Sequence, residues 1–175
     1  GFAGVITQKM SVAISNDDHD KFKKLAGANI YTAVLLASIL LLLGLSLAPF
    51  IADWVNADKS IKSSITIAFV ISLVSAAVSI LVSLYGAFPQ VWQETKTIGI
   101  INTVVNIIGV ISLVLYLYFG FGVVSLALGY LTRSVFNLLG QGSWIFFKWK
   151  KLNLSIPIFD FTEIKDLLKA CFYPF

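Results

Sequence analysis

Long apolar runs separated by short polar stretches dominate the hydropathy pattern of this chain. Four of the runs reach the roughly 20 helical residues that a bilayer core of about 30 Å requires. They cover residues 26–52, 63–88, 97–118 and 121–147. Residues 1–15 are also apolar but too short to span alone, and residues 167–175 resemble the start of another helix. The pattern therefore predicts an all-α, polytopic transmembrane helix bundle with about four complete spans and partial helices at both ends.

The fourth run contains the least expected residue of the apolar part of the chain. Arg133 lies near its middle, where a charge is costly and usually faces a bundle interior or an aqueous cavity. Asn137 and Gln141 follow at intervals of four residues, so the three side chains share one helical face. A guanidinium among amides suits an anionic group such as phosphate, which its planar donors match. The alternative is a structural arginine satisfied by backbone carbonyls or amides.

Polar side chains also mark one face of the second run and one face of the third. Asn102 and Asn106 lie one turn apart in the third run, and asparagines in lipid need partners, so we expect this face to turn inward. The second run carries serines at spacings of three or four residues, namely Ser72, Ser75, Ser79 and Ser83. These hydroxyls either bond helix to helix inside a bundle or border a hydrophilic cavity, and both roles are compatible.

Composition and charge place the chain in a membrane rather than on nucleic acid. Hydrophobic residues make up 58% of the sequence, charged residues 13%, and the mean hydropathy is +0.88, whereas soluble domains are about half apolar and a quarter charged. The net charge of +4 comes from lysines between the apolar runs, where they set topology. Ten of these lysines lie on one side of the predicted bundle, and only Lys59 and Lys62 lie on the other. The side with ten lysines is therefore expected to be cytoplasmic.

Motifs for catalysis, nucleotide binding and metal binding are missing from the sequence. It contains neither a P-loop nor a strand-bounded GxGxxG, HExxH or CxxC motif. The single histidine, His19, stands beside aspartates in a polar loop without a second His or Cys to support a metal site. No carboxylate interrupts the four runs. We therefore predict a protein that is not an enzyme and that holds no cofactor or metal.

Four stretches of the chain resemble one family of membrane transporters. They are GVITQKMSVAISNDDHDKFKKLAG, SLYGAFPQVWQETK, INTVVNIIGVISLVLYLYFGFGVVSLALGYLTRSVFNLLG and LSIPIFDFTEIKDLLKACFYPF. Their hydropathy, spacing and polar positions resemble the polysaccharide-biosynthesis (O-antigen type) flippases of the multidrug/oligosaccharidyl-lipid/polysaccharide exporter superfamily. The family layout implies that residues 1–147 are most of an N-terminal-half bundle, from the end of helix 2 to helix 6. It further implies a cytoplasmic linker at residues 148–166 and the start of the next transmembrane helix at residues 167–175.

The resemblance implies a function in surface polysaccharide synthesis. The protein would be a multi-pass protein of the bacterial cytoplasmic membrane that flips a polyprenyl-pyrophosphate-linked oligosaccharide between leaflets. Membrane lipids and the C-terminal half of the same chain, which is missing here, would be its partners. On helical faces alone, Arg133 is the candidate for the pyrophosphate and the amides of Asn137, Gln141, Asn102 and Asn106 for a hydrogen-bonding wall. Two alternatives remain: a multidrug exporter of the same superfamily, which usually needs membrane carboxylates, and a non-transporting membrane module.

Overall fold

The computed structural model describes residues 2–151, and every element within that range is helical. The elements are α1 (Phe2–Ser15), α2 (His19–Trp54), α3 (Lys62–Tyr85), α4 (Ala87–Val91), α5 (Thr95–Tyr118) and α6 (Val124–Lys151). The predicted start of a further helix at residues 167–175, and all of the predicted linker beyond Lys151, lie outside the described residues. The expected all-α membrane helix bundle is confirmed.

Three stretches of helix in the described range are long and apolar enough to cross a membrane. They are His19–Trp54, Lys62–Val91 and Thr95–Tyr118. Helix α6 forms where the fourth span was predicted, and its 28 residues extend about 42 Å at 1.5 Å per residue. It is less apolar than the other three because its polar face interrupts the run. It also continues through Lys151, beyond the predicted start of the linker at residue 148.

The predicted second span is divided at Gly86 into the long helix α3 and the short helix α4. Pro89 explains the break, because it has no N–H to offer the carbonyl four residues earlier and its ring clashes with that carbonyl. The residue four positions before Pro89 is Tyr85, where α3 ends. The long helix therefore ends at Tyr85, four residues before the proline, although hydropathy alone extends the span to residue 88.

The long helices pack side by side, with α3 between α2 and α6, and α6 between α3 and α5. The small residues of α2 allow close approach, as expected from helix packing in membranes. Ala33, Ala37 and Ala48 are buried, and so is Gly44. A Cβ added at Gly44 would lie 2.2 Å from Cδ1 of Leu73 on α3, so only glycine fits there as the helices stand.

Aromatic packing closes the end of the bundle where most of the lysines lie, here called the lysine-rich end. The Phe22 ring of α2 stacks on Trp149 of α6 at 5.6 Å between centroids, and Phe88 of α4 meets both rings edge-on. An ion pair between Lys148 and Glu94 ties α6 to the loop before α5. This end, predicted to be cytoplasmic, therefore joins α1, α2, α4 and α6 in one cluster.

At the opposite end of the bundle, two short connections join α2 to α3 and α5 to α6. An ion pair between Lys62 and Asp53 links the start of α3 to the end of α2. The α5–α6 turn uses Gly120 and Gly122, whose φ values of 80° and 55° lie in the left-handed region that glycine adopts without a steric penalty. Large apolar side chains on the outer faces of the bundle stay exposed, for example Leu42 at 71%. In a membrane protein such faces contact lipid chains.

Candidate functional site

A cavity of about 800 Å³ lies between α3 and α6. Residues three or four apart on each helix share a face, so each helix presents a stripe of polar side chains to the cavity. From α3 come Ser72, Ser75, Ser79 and Ser83, and from α6 come Tyr130, Arg133, Ser134 and Asn137. The four serines predicted as cavity-lining thus all border this cavity.

Two of these serines also bond α3 to α6. The buried Ser134 hydroxyl lies 3.0 Å from the Ser75 hydroxyl and 2.9 Å from the Ser79 hydroxyl. Ser79 additionally donates to the backbone carbonyl of Ser75. The serine face therefore joins helices and borders a cavity at once, so the two roles considered from the sequence coexist.

Arg133 lines this cavity with a supported stem and an unpaired head group. A Cβ built at Gly109 of α5 would lie 3.0 Å from Cβ and 3.4 Å from Cγ of Arg133, so the glycine makes room for the stem. Among residues 2–151 the guanidinium has no hydrogen bond and no ion pair. The alternative was a structural arginine that bonds to backbone carbonyls or amides. Arg133 makes no such bond within that range.

Three of the predicted amide side chains form one hydrogen-bonded group. Gln141 donates through Nε2 to Oδ1 of Asn137 at 2.9 Å and to Oδ1 of Asn102 at 3.2 Å. Gln141 is only 3% exposed, and its Oε1 is buried without a hydrogen-bond partner among the described residues. The network connects α6 to α5 and fixes the orientation of both asparagines.

A second cavity, of about 340 Å³, adjoins the first on the side of the lysine-rich end. Asn102, Asn137 and Gln141 line it together with Gln90 and Thr95 from the α4–α5 region. Val82, Ser83 and Asn137 border both cavities. A polar path therefore leads from Arg133 along α6 toward the lysine-rich end.

Asn106 is the one predicted site residue that the structure does not bring to this path. It is exposed and borders neither cavity, although Asn102 lies only one turn away. The buried positions of α5 are Val105 and Gly109, which together with Asn102 follow a stripe of three- and four-residue steps against α6. Asn106 lies about 100° from Val105 around the helix, away from this stripe.

On α6 the structure adds two residues to the lining of the first cavity that the sequence analysis missed. Tyr130 and Ser134 stand on the same face of α6 as Arg133, Asn137 and Gln141. The sequence could have indicated both. Tyr130 lies one turn before Arg133 on this face, and Ser134 lies in the row of side chains next to it. Within residues 2–151 there is no cluster of three or more His, Cys, Asp or Glu side chains that could hold a metal ion.

Comparison with known proteins supports one family. The family model described as "Polysaccharide biosynthesis protein" matches residues 1–173, nearly the whole chain. Comparison with curated proteins and with solved structures gave no significant match.

Proposed function

The chain belongs to the polysaccharide biosynthesis protein family, and from this premise we propose that it flips a polyprenyl-pyrophosphate-linked oligosaccharide across the bacterial cytoplasmic membrane. One observation carries the proposal. Arg133 borders a cavity of about 800 Å³ between two helices of a membrane bundle, and its guanidinium makes no ion pair within the described residues. A positive charge at this depth is costly unless it has a function or a partner. An anionic cargo supplies that partner.

The pyrophosphate matches the chemistry of this part of the cavity. The planar guanidinium can donate two parallel hydrogen bonds to phosphate oxygens, and such charge-assisted bonds are about twice as strong as neutral ones. Hydroxyls of Ser72 and Tyr130 border the same space and add neutral donors.

The rest of the cargo suits the remaining surfaces. Amides and hydroxyls of the second cavity provide donors and acceptors for sugar hydroxyl groups. The polyprenyl chain would stay in the bilayer, against the exposed apolar side chains of the outer helix faces. In this proposal the C-terminal half of the same chain closes the cavity from the other side, and the two halves rock to expose it to each leaflet in turn.

The cavity favours transport over catalysis and an anion over a cation. Among the described residues, its lining includes no carboxylate, histidine or cysteine to act as an acid, base or nucleophile. Within residues 2–151, Arg133 is the single charged residue of this lining, so a cationic drug would meet a like charge there. The carboxylates of the described range lie at helix ends or in loops, as Asp53 and Glu94 do. These features support the flippase over the multidrug exporter and over a non-transporting module.

Transport in proteoliposomes tests the proposal directly. A fluorescent oligosaccharide on a polyprenyl pyrophosphate is measured for movement between leaflets with the wild type, Arg133→Gln and Arg133→Ala. We expect both variants to insert normally and to lose at least about 90% of the transport rate, because a charge-assisted bond contributes about 1.5–3 kcal/mol. Lys59→Gln, a charge removal outside the cavity, is the matched control. Unimpaired transport by both Arg133 variants would contradict the proposal.

A further inference from the structure

The second cavity contains a buried acceptor that the helix bundle itself does not satisfy. Gln141 uses its Nε2 twice, while its Oε1 has no hydrogen-bond partner among residues 2–151. The residue is 3% exposed and belongs to the lining of the cavity. A buried unpaired carbonyl oxygen is unfavourable, so this oxygen is an attachment point for a donor that enters the cavity.

The same cavity also offers donors beside this acceptor. Asn102 and Asn137 accept from Gln141 through Oδ1, which leaves their Nδ2 amino groups with no hydrogen bond in the described part of the chain. The same lining also includes Val82, Pro89 and Ile98, here called the apolar wall. The cavity thus includes a buried unpaired acceptor, two amide donors and the apolar wall.

We propose that this cavity recognises the acetamido group of the sugar attached directly to the pyrophosphate, an inference that rests on the proposed flippase function. An acetamido group carries a donor, an acceptor and a methyl group in one plane. Its N–H donates to Oε1 of Gln141, its carbonyl accepts from Nδ2 of Asn102 or Asn137, and its methyl packs on the apolar wall. A hydroxyl group at the same carbon offers a donor and an acceptor but nothing for that wall.

The spacing along α6 agrees with this assignment. Arg133 and Gln141 are eight residues apart, which places them about 12 Å from each other along the helix axis. That separation suits a pyrophosphate at Arg133 followed by one pyranose ring. The direction also fits, because the second cavity lies toward the lysine-rich end, where a cargo entering from the predicted cytoplasmic side would place its sugars.

Binding of two matched probes tests the inference. Geranyl pyrophosphate linked to N-acetylglucosamine and the same lipid linked to glucose differ only in the acetamido group. Their affinities for the detergent-purified protein are measured by calorimetry. We expect the wild type to prefer the acetamido probe by at least about tenfold, because a site built around hydrogen bonds discriminates against a ligand that leaves its buried groups unpaired. Gln141→Leu should reduce the preference below about threefold, whereas Gln8→Leu, at an exposed position on α1, should retain it.

The outcomes separate this inference from the proposed function. Equal wild-type affinity for the two probes would overturn the inference, since Gln141 Oε1 is then satisfied by water, while the flippase proposal stands. A preference that survives in a folded Gln141→Leu protein would overturn it as well. Failure of the wild type to bind either probe would overturn both proposals. The wild-type comparison decides the question even if Gln141→Leu does not fold.

Discussion

Gly109 of α5 lies directly against the aliphatic stem of Arg133 on α6, so that a Cβ at Gly109 would stand 3.0 Å from the Arg133 Cβ. The contact lets the two helices approach closely at the level of the cavity. It also fixes the direction in which the arginine leaves its helix. Because Gly109 has no side chain, it helps to set the position of the Arg133 charge on the neighbouring helix.

The first prediction concerns this contact. Gly109→Val should push the Arg133 stem away and lower transport by about tenfold or more, because a misplacement of about 1 Å at a functional group can cost about 100-fold. The overpacked interface should also lose about 1–3 kcal/mol of stability. Transport in proteoliposomes and thermal unfolding in detergent measure the two effects.

Gly99 provides the matched control for that variant. It lies on the same helix, and a Cβ there would meet nothing within 4 Å in the described structure. Gly99→Val should leave transport close to the wild-type rate. Equal losses in the two variants would show that a β-branched residue in α5, rather than the contact with Arg133, is responsible.

The second prediction concerns the hydroxyl group that joins α3 to α6. Ser134→Ala removes the shared partner of Ser75 and Ser79. Hydrogen bonds between membrane helices contribute about 0.6 kcal/mol on average and up to about 1.7 kcal/mol, so we expect a loss of stability in that range. Ser83→Ala is the control, because in the described part of the chain the Ser83 hydroxyl bonds only to the Ile80 carbonyl of its own helix. A loss for Ser83→Ala as large as that for Ser134→Ala would contradict the interhelical role.

The third prediction concerns the ion pair at the lysine-rich end. Lys148 and Glu94 are partly exposed, with 24% and 38% of their side-chain surfaces accessible. A double-mutant cycle with Lys148→Gln and Glu94→Gln should give a coupling free energy of about 0.2–1 kcal/mol, typical of pairs that water reaches. The coupling should shrink at 1 M salt, where the Debye length is about 3 Å. Coupling that does not change with salt would show that the pair is shielded from solvent.

Sequence periodicity was sufficient to predict most of the architecture. Apolar runs of bilayer length and polar residues at three- or four-residue spacing predict helices and their faces directly. The serine face of α3 and the Arg133 face of α6, each identified from its spacing, both border the cavity between these helices. The break at Gly86 was also encoded, in Pro89, but hydropathy does not register a proline inside an apolar run.

The choice between two neighbouring asparagines could not be made from the sequence. Asn102 and Asn106 are about 40° apart around α5, and both fit a broad inward face. The angle at which α5 packs on α6 selects Asn102, which reaches Gln141, and leaves Asn106 exposed. That angle depends on contacts such as Leu113 against Gly129, which belong to two different helices. Single-helix periodicity contains no information about such contacts.

The last prediction tests the close contact of α2 with α3. A Cβ at Gly44 would lie 2.2 Å from Cδ1 of Leu73, and Leu73 is only 7% exposed, so its side chain has little space to move into. Gly44→Ala should therefore destabilise the protein by about 1–3 kcal/mol through overpacking. Leu73→Ala alone should cost about 2–5 kcal/mol through a cavity. Because the added methyl group occupies part of that cavity, the double variant should be more stable than the sum of the two single losses predicts. Thermal or denaturant unfolding of the four proteins measures this difference, and strict additivity would show that the two residues do not pack against each other.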